Sequence, residues 1–461
     1  MAKDFPQTDP SVYSTHHTRF ASAGLPTDQA SWIQRAREVA SILAQDAPQR
    51  DIANQAPFAE VSLLKSSGLL KVLGPTKYGG GGETWETGYK VIREVAKGDG
   101  SLGMLLGYHL LWSTTANVVG TDEQADSIQQ ALLTNNYFVG GAVNPRDSDL
   151  KITSSGDGDI IFNGAKNFNT GGVVSDLTVL EGVLEGTTDH IFTLVKTQQA
   201  GIQFAHNWDS IGLRLTESGS VRITDVRAPW SDALGWDPTT QRPIQEILGI
   251  PFASLLLPTI QLVFSNFYLG IAQGALEQAA AYTKQYTRAW PFGGDNKEKA
   301  TEEWYILERY GAFRAHLDAA DALADWAGKG VAEVYERAGQ HGSTITTAAK
   351  TATNGTSNGH SNGASNGHST PPSRAALTPA QRGELAVLVA SVKVVTTDTA
   401  LSVTSGVFET LGARATGKKY GFDRFWRDVR THSLHDPVAY KKREVGVWHV
   451  LGEGPEPTWY T

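Results

Sequence analysis

The chain of 461 residues contains no cysteine, which removes disulfides, thiolate nucleophiles, zinc–thiolate sites and iron–sulfur ligation together. Its chemistry must come from histidine, carboxylates, hydroxyls or a bound cofactor. Long runs of one charge sign are also missing: Lys plus Arg count 40 against 48 Asp plus Glu, a net charge of −8 spread along the chain. Such a balance asks for neither nucleic acid nor a membrane as partner. No uninterrupted apolar run approaches the ~20 residues of a membrane span. The N-terminus MAKDFPQTDP lacks the basic-then-apolar order of a secretory signal, so a cytoplasmic location is expected. A GxGxxG motif after a strand is absent, and the GGGG at 79–82 follows a helical pattern, which leaves no Rossmann or P-loop reading.

What is present is the composition of a soluble globular protein, 40% hydrophobic and 19% charged, on a chain too long for one ordinary core. Residues 1–135 are expected to form an N-terminal helical domain. In FAEVSLLKSSGLLKVLGP the apolar Val61, Leu64, Leu69 and Leu70 fall near helical spacing, and TWETGYKVIREVAKGDGSLGMLLGYHLLWSTTANVVG ends in a segment apolar enough to be buried. Residues 136–235 change to β-rich runs separated by Gly, Asp and Asn, with Asp157-Gly158 as a hairpin signal. Helical patterning returns over 236–461. There Thr378, Pro379 and Gln381 make an N-cap, a first-turn proline and a capping-box partner, and Leu385, Leu388, Val392 and Val395 are the expected buried stripe. A Ser/Asn/Gly-rich insert at about 343–376 has too little apolar surface to offset its ordering entropy and is expected to be a disordered loop. Its His360 and His368 read as linker residues, not as metal ligands.

Several segments carry a resemblance: DGSLGMLLGYHL (99–110), NGAKNFNTGG (163–172), NWDSIGLRLTESGS (207–220), FSNFYLGIAQGALEQA (264–279) and GVFETLGARATGKKYGFDRFWRDVRTHSLHDPVAYK (406–441). Together they resemble the acyl-CoA dehydrogenase superfamily, in its flavin-dependent monooxygenase branch, and there the dibenzothiophene monooxygenase group. The resemblance implies a mainly α fold with a helical N-domain, a β-barrel-like middle domain and a C-terminal four-helix bundle. It implies reduced FMN supplied by a separate reductase, with FAD as the alternative, and a flavin C4a-hydroperoxide that oxygenates an apolar small molecule at N, S or an aromatic carbon. It also implies a homotetramer in which a neighbouring subunit completes the flavin site. An FAD-dependent desaturase like the acyl-CoA dehydrogenases, and a flavin oxidase releasing peroxide, are the other activities the resemblance allows.

Residue by residue, the resemblance gives His435 the place of the active-site histidine, whose pKa range near neutrality suits it to manage a proton. Thr170 matches a hydroxyl residue facing the flavin ring, with Asn169 and Gly171 shaping the same loop. Tyr108 matches a substrate-pocket tyrosine, and His109 beside it reads as a core residue. Arg288 and Arg414 match the arginines that meet the flavin phosphate, Arg414 from the neighbouring subunit. Two departures stand out: Met104 where the group has histidine, and Gly141 where it has asparagine. They remove two polar groups from the pocket and put the substrate in question.

The stretch HSLHDP (432–437) holds two histidines three apart, which share about one helical face. A metal reading needs a third ligand, and none is expected here. His432 reads as an orienting residue. In the dehydrogenases the catalytic glutamate falls near Asp436, counted from an Arg-Asp pair like Arg427-Asp428; with a shorter side chain and a proline after it, Asp436 is expected to be an N-cap or turn residue. Pro437 is expected to stop a long helix behind His435.

Overall fold

The computed structural model describes residues 5–143, 149–294, 296–341, 344–345 and 373–458. Eight of the helices frame the core and the site: α1 Gln29–Leu43, α2 Trp85–Gly98, α3 Gly100–Val119, α4 Leu256–Tyr286, α5 Trp304–Arg337, α6 Pro379–Gly406, α7 Phe422–His432 and α8 Val438–Leu451. Their starts follow local chemistry. Asp28 and Ser31 form a capping box for α1, Asp99 caps α3 through the amides of Ser101 and Leu102, and Thr378 with Gln381 closes the box ahead of Pro379 in α6.

One continuous apolar core runs from Tyr13 to Val429 through the helices on both sides of the β-region. All of α3 is buried, as is most of α4. The segment containing α4 is long and apolar enough to cross a membrane, yet 94% of its apolar window lies inside the fold. Close approach is enforced by glycine. A Cβ at Gly270 or Gly274 of α4 would sit 2.1 or 2.2 Å from the carbonyl oxygens of Arg93 and Lys97, so α2 lies backbone against backbone on α4. Arg93 then staples three helices, donating to Asn266 of α4 and pairing with Asp321 and Asp325 of α5.

The middle of the chain forms two small sheets. Strands are β1 Val139–Ala142, β2 Lys151–Ser154, β3 Asp159–Lys166, β4 Leu177–Val183, β5 His190–Lys196, β6 Ile202–Phe204 and β7 Val221–Pro229. The orders are β1-β4-β5 and β2-β3-β7-β6, with β1 parallel to β4 and the remaining pairs antiparallel. A second core, including Ile152, Phe162, Leu180, Ile191, Ile223 and Trp230, holds this region together. Asp157-Gly158 turns β2 into β3, with Gly158 at φ 104°. The short β6 gives no sequence signal of its own.

Three local expectations are corrected. Helix α7 is only 11 residues long and ends at His432, where the Ser433 and His435 amides bind the carbonyls of Val429 and His432. His435 therefore sits in the turn beyond the helix, and Pro437 occupies the N-cap position of α8; Asp436 lies in that turn, the second of its two expected places, and makes no cap bond. In α6, Leu385 and Val392 are buried but Leu388 and Val395 only partly so; the deeper face carries Val389, Lys393, Thr397 and Ala400, because α6 packs against both α4 and α5. Most of the Ser/Asn/Gly-rich insert lies outside the described residues. Its flanks do not read as disordered: Thr344–Ile345 pairs with Gln340–His341, and Arg374 donates to Gly120 and binds Asp122.

Candidate active site

Helix α3 presents Met104, Tyr108 and Trp112 at four-residue spacing, hence on one face. All three are buried. Across from them, α4 contributes Gln261, Phe264 and Tyr268, and α7 with its following turn contributes His432 and His435. Phe264 stacks on Tyr108 at 5.8 Å and meets the His432 ring at 4.4 Å and the His435 ring at 5.1 Å. The two imidazoles lie nearly parallel, 5.1 Å apart at 12°.

Their environments differ sharply. His432 is 4% exposed, and both ring nitrogens are engaged, Nδ1 with the Tyr268 hydroxyl at 2.7 Å and Nε2 with the Tyr108 hydroxyl at 3.3 Å. Burial, helped by His435 and the Lys393 charge, drives His432 well below the usual histidine range, so it is neutral. Burial likewise raises both tyrosines, with the Asp436 charge adding to it. The result is a neutral Tyr–His–Tyr chain in which a ring N–H donates to one phenol while the other phenol donates to the ring. His435, by contrast, has a side chain 52% exposed, with Nδ1 3.3 Å from Asp436 Oδ1.

Asp436 is neither a cap nor a free base. Its carboxylate pairs with Lys393, whose side chain is 1% exposed, and accepts from Gln261 Nε2 at 3.4 Å. Burial works to raise the carboxyl, but the hydrogen bond from His435 and the Lys393 charge prevail and hold it well below the usual carboxylate range. Burial lowers Lys393, with Asp436 opposing. His109 is a satisfied core residue: Nε2 donates to Leu70 O, Nδ1 accepts from Val139 N, and burial pushes it down to about 4.

The loop after β3 closes the other side. Thr170 Oγ1 is 2.9 Å from Ser218 Oγ, itself 2.8 Å from Thr216 Oγ1, a buried hydroxyl chain joining two loops. The Gly171 amide donates to Thr216 O, and its φ of 68° suits glycine. Asn169 folds over Gly172; both amide atoms are sealed from solvent and lack a partner among the described residues. Phe168, 59% exposed and at φ 56°, meets the Trp208 ring at 6.3 Å. Gly141 ties this loop to α3. Its amide donates to Thr170 O, and a Cβ there would lie 2.4 Å from Trp112 Nε1. The indole thus occupies the space a side chain at 141 would need. A ring with donor and acceptor edges fits this loop, where the Thr170 hydroxyl, an unpartnered amide and two glycines come together.

Asp428, one helical turn before His432, anchors the second loop by accepting from Leu213 N at 2.6 Å. Leu213 itself holds φ 53°. Arg427 binds Asp51 and Asp423 beside it.

Contacts thus connect Thr170, Gly141, Trp112, Tyr108, His432 and His435. They do not reach Arg288 and Arg414. Both arginines are exposed at the C-terminal end of α4, in adjoining loops linked by the Thr287 hydroxyl donating to Leu411 O. Tyr268 and Tyr286 of α4 are about 27 Å apart at 1.5 Å per residue. Around Arg288 the apolar residues Trp290, Phe292, Trp304 and Leu307 are exposed, Phe292 by 83%. Among the described residues no three His, Asp or Glu side chains cluster as metal ligands.

Sequence reasoning missed Lys393, Tyr268, Gln261 and Trp112. A signal existed for Lys393, the only charge between Glu384 and Asp398 in an apolar helix. The others became visible only in three dimensions.

Comparison with known proteins agrees with this fold. Residues 26–135 match the family model for the acyl-CoA dehydrogenase N-terminal domain, and residues 363–439 that for the C-terminal domain. Dibenzothiophene monooxygenase of Rhodococcus erythropolis is 37% identical over 431 residues, 92% of this chain and 94% of the relative. A protein of Pseudomonas putida named as a probable FMNH2-dependent monooxygenase is 31% identical, over 92% of this chain and 96% of its own. The dibenzothiophene monooxygenase of Paenibacillus sp. A11-2, solved with FMN and indole, superposes with a TM-score of 0.80 at 34% identity, covering 94% of this chain and all of the other.

Proposed function

Since this chain belongs to the acyl-CoA dehydrogenase family, as a flavin-dependent monooxygenase, we propose that it oxygenates an apolar small molecule at nitrogen, sulfur or an aromatic carbon. The relatives with FMN in their structures or FMNH2 in their names support reduced FMN as its cofactor. When bound, reduced FMN supplies the oxygen activation; a separate reductase supplies the reduced flavin. Thr170, Asn169 and Gly171 would hold the ring edge through a hydroxyl, an amide and a backbone able to come close.

The observation that carries the reading is the wall shared by Tyr108, Trp112, Phe264, His432 and His435. Aromatic surface excludes water and accepts an apolar substrate. Tyr108, backed by His432, donates or accepts a hydrogen bond at the substrate. His435, half-exposed at the edge of this wall, holds or moves a proton at Nε2. With Met104 and Gly141 at two pocket positions, the preferred substrate need not be dibenzothiophene.

A dehydrogenase-like desaturation would need a free carboxylate to remove an α-proton. Asp436 is bound by Lys393, Gln261 and His435, which disfavours that role. The exposed arginines and aromatics at the far end of α4 favour a homotetramer, in which Arg288 and Arg414 reach the flavin phosphate across a subunit boundary. A cytoplasmic location suits an enzyme fed by a diffusing reduced flavin.

Stopped-flow mixing of oxygen with the anaerobic protein and reduced FMN tests the reading. A transient spectrum distinct from both reduced and oxidised flavin is expected, with an oxygenated product when indole is added as a probe. Oxidation indistinguishable from that of free reduced FMN would overturn it. A transient followed by full release of hydrogen peroxide, with indole and dibenzothiophene both untouched, would indicate an oxidase.

A further inference from the structure

Lys393 is unusual for its surroundings. It lies in the middle of α6, on the face of Val389, Thr397 and Ala400, where an ammonium is costly unless paired. Its partner is Asp436, from the turn between α7 and α8, and the same Oδ1 that meets Lys393 Nζ lies 3.3 Å from His435 Nδ1. A carboxylate has no proton to give, so the nitrogen facing it carries one. In a neutral ring that leaves Nε2 as the acceptor. Gln261 holds the second carboxylate oxygen, and Lys393 also lies 5.3 Å from the centre of the Phe264 ring, which touches both histidines. The other charges facing the pair, Lys441 and Glu444 of α8, bind each other at 2.8 Å. His432 cannot substitute, because both of its nitrogens are already bound by tyrosines.

We propose that Lys393 and Asp436 are positioning residues for His435, holding its Nδ1–H toward the carboxylate and turning Nε2 outward as the proton acceptor. Lys393 keeps the carboxylate ionised and fixed; Asp436 passes that order to the ring. The pair brings α6 into the active site without touching substrate or flavin. The inference rests on His435 being the group that handles the proton.

The tautomer of His435 is the direct readout, and it needs neither flavin nor substrate. Nitrogen NMR on histidine-labelled full-length protein identifies the His435 signals by their loss in His435→Gln. The wild type is expected to show the Nδ1–H form when neutral. The double variant Lys393→Met/Asp436→Ala leaves no buried charge unpaired and is expected to shift His435 toward the Nε2–H form that free imidazole favours, while Lys393→Arg retains the wild-type form. In parallel, the fraction of reduced FMN converted to oxygenated indole, as against hydrogen peroxide, is expected to fall tenfold or more in the double variant and to recover in Lys393→Arg. If the double variant does not fold, Lys393→Met/Asp436→Leu gives the same comparison with the shape of both side chains retained and no acceptor facing Nδ1. An unchanged Nδ1–H signal in the folded variant overturns the positioning role even if His435→Gln is impaired. Wild-type turnover and peroxide release in His435→Gln would instead overturn the role of His435 itself.

Discussion

The two ends of α4 differ in what they leave unfinished. Around Gln261, Phe264 and Tyr268 the helix faces side chains that satisfy one another within one chain: His432 lies between two phenols and Asp436 between a lysine, an amide and a histidine. About 27 Å further along, the helix ends near Arg288 and Arg414, exposed among Trp290, Phe292 and Trp304. Under the proposed function, such a contrast would separate a proton-handling half built by one chain from a phosphate-holding half that a second copy completes. Aromatic residues and arginine are enriched in buried interface cores, which suits the outer end to contact with another subunit.

The largest effect is expected at the inner end. His435→Ala should lower oxygenation by about 10²- to 10⁴-fold, the usual worth of a positioned proton-transfer group. Its melting temperature should stay near wild type, since half of the side chain is in solvent. Steady-state product formation beside a thermal melt checks both parts, and a normal rate would erase the special status of this end.

At the outer end, Arg414→Ala and Arg288→Ala should each weaken FMN binding about ten- to a hundredfold, as expected for a lost charge-assisted hydrogen bond worth roughly 1.5–3 kcal/mol. The tautomer of His435 should not change. Phe292→Ser should reduce assembly size and flavin affinity together, measured by sedimentation and by flavin fluorescence. Flavin affinity that is independent of assembly would place the phosphate site within one chain and end the contrast between the two ends.

A smaller effect concerns the link from the inner end to the loop that carries Leu213. Burial, with Asp51 and Asp99 nearby, pushes Asp428 up to about 7, against the bond from Leu213 and the Arg424 charge. A carboxyl raised in this way contributes stability that is fully present below its unfolded value near 3.8 and is lost as pH rises through 7. Between pH 5 and 8 the wild type should therefore lose melting temperature relative to Asp428→Asn, whose amide oxygen still accepts from Leu213. Parallel pH curves for the two proteins would show that Asp428 is ionised throughout.

How much of this was legible in the sequence depends on range. The Thr378–Gln381 box and the Asp157-Gly158 hairpin are written in adjacent residues, and both form as expected. Family motifs also singled out Tyr108 and Thr170, and only the fold shows that Gly141 and Trp112 link the two. The meeting of Lys393 with Asp436 depends on how α6 packs beside the α7–α8 turn, which no local pattern encodes. Pro437 shows the limit of a local rule: proline stops a helix that runs into it, but the amides of Ser433 and His435 close α7 at His432, and Pro437 instead opens α8. The stripe of α6 was misplaced because a helix covered on more than one side buries more than a single periodic face.

The smallest effect is expected from deleting residues 357–372 of the Ser/Asn/Gly-rich insert. Closing a loop costs little when its ends already lie together, and each doubling of loop length changes that cost by only about 0.6 kcal/mol. Here the ends meet: Ser373 N donates to Arg337 O at the close of α5, Gln340–His341 pairs with Thr344–Ile345, and Arg374 binds Gly120 and Asp122. These bonds hold the start of α6, and with it Lys393, independently of the deleted residues. Activity should stay within a factor of about two and assembly should be unchanged. A large loss of either would mean that the insert belongs with the outer end of α4, as part of the contact between copies.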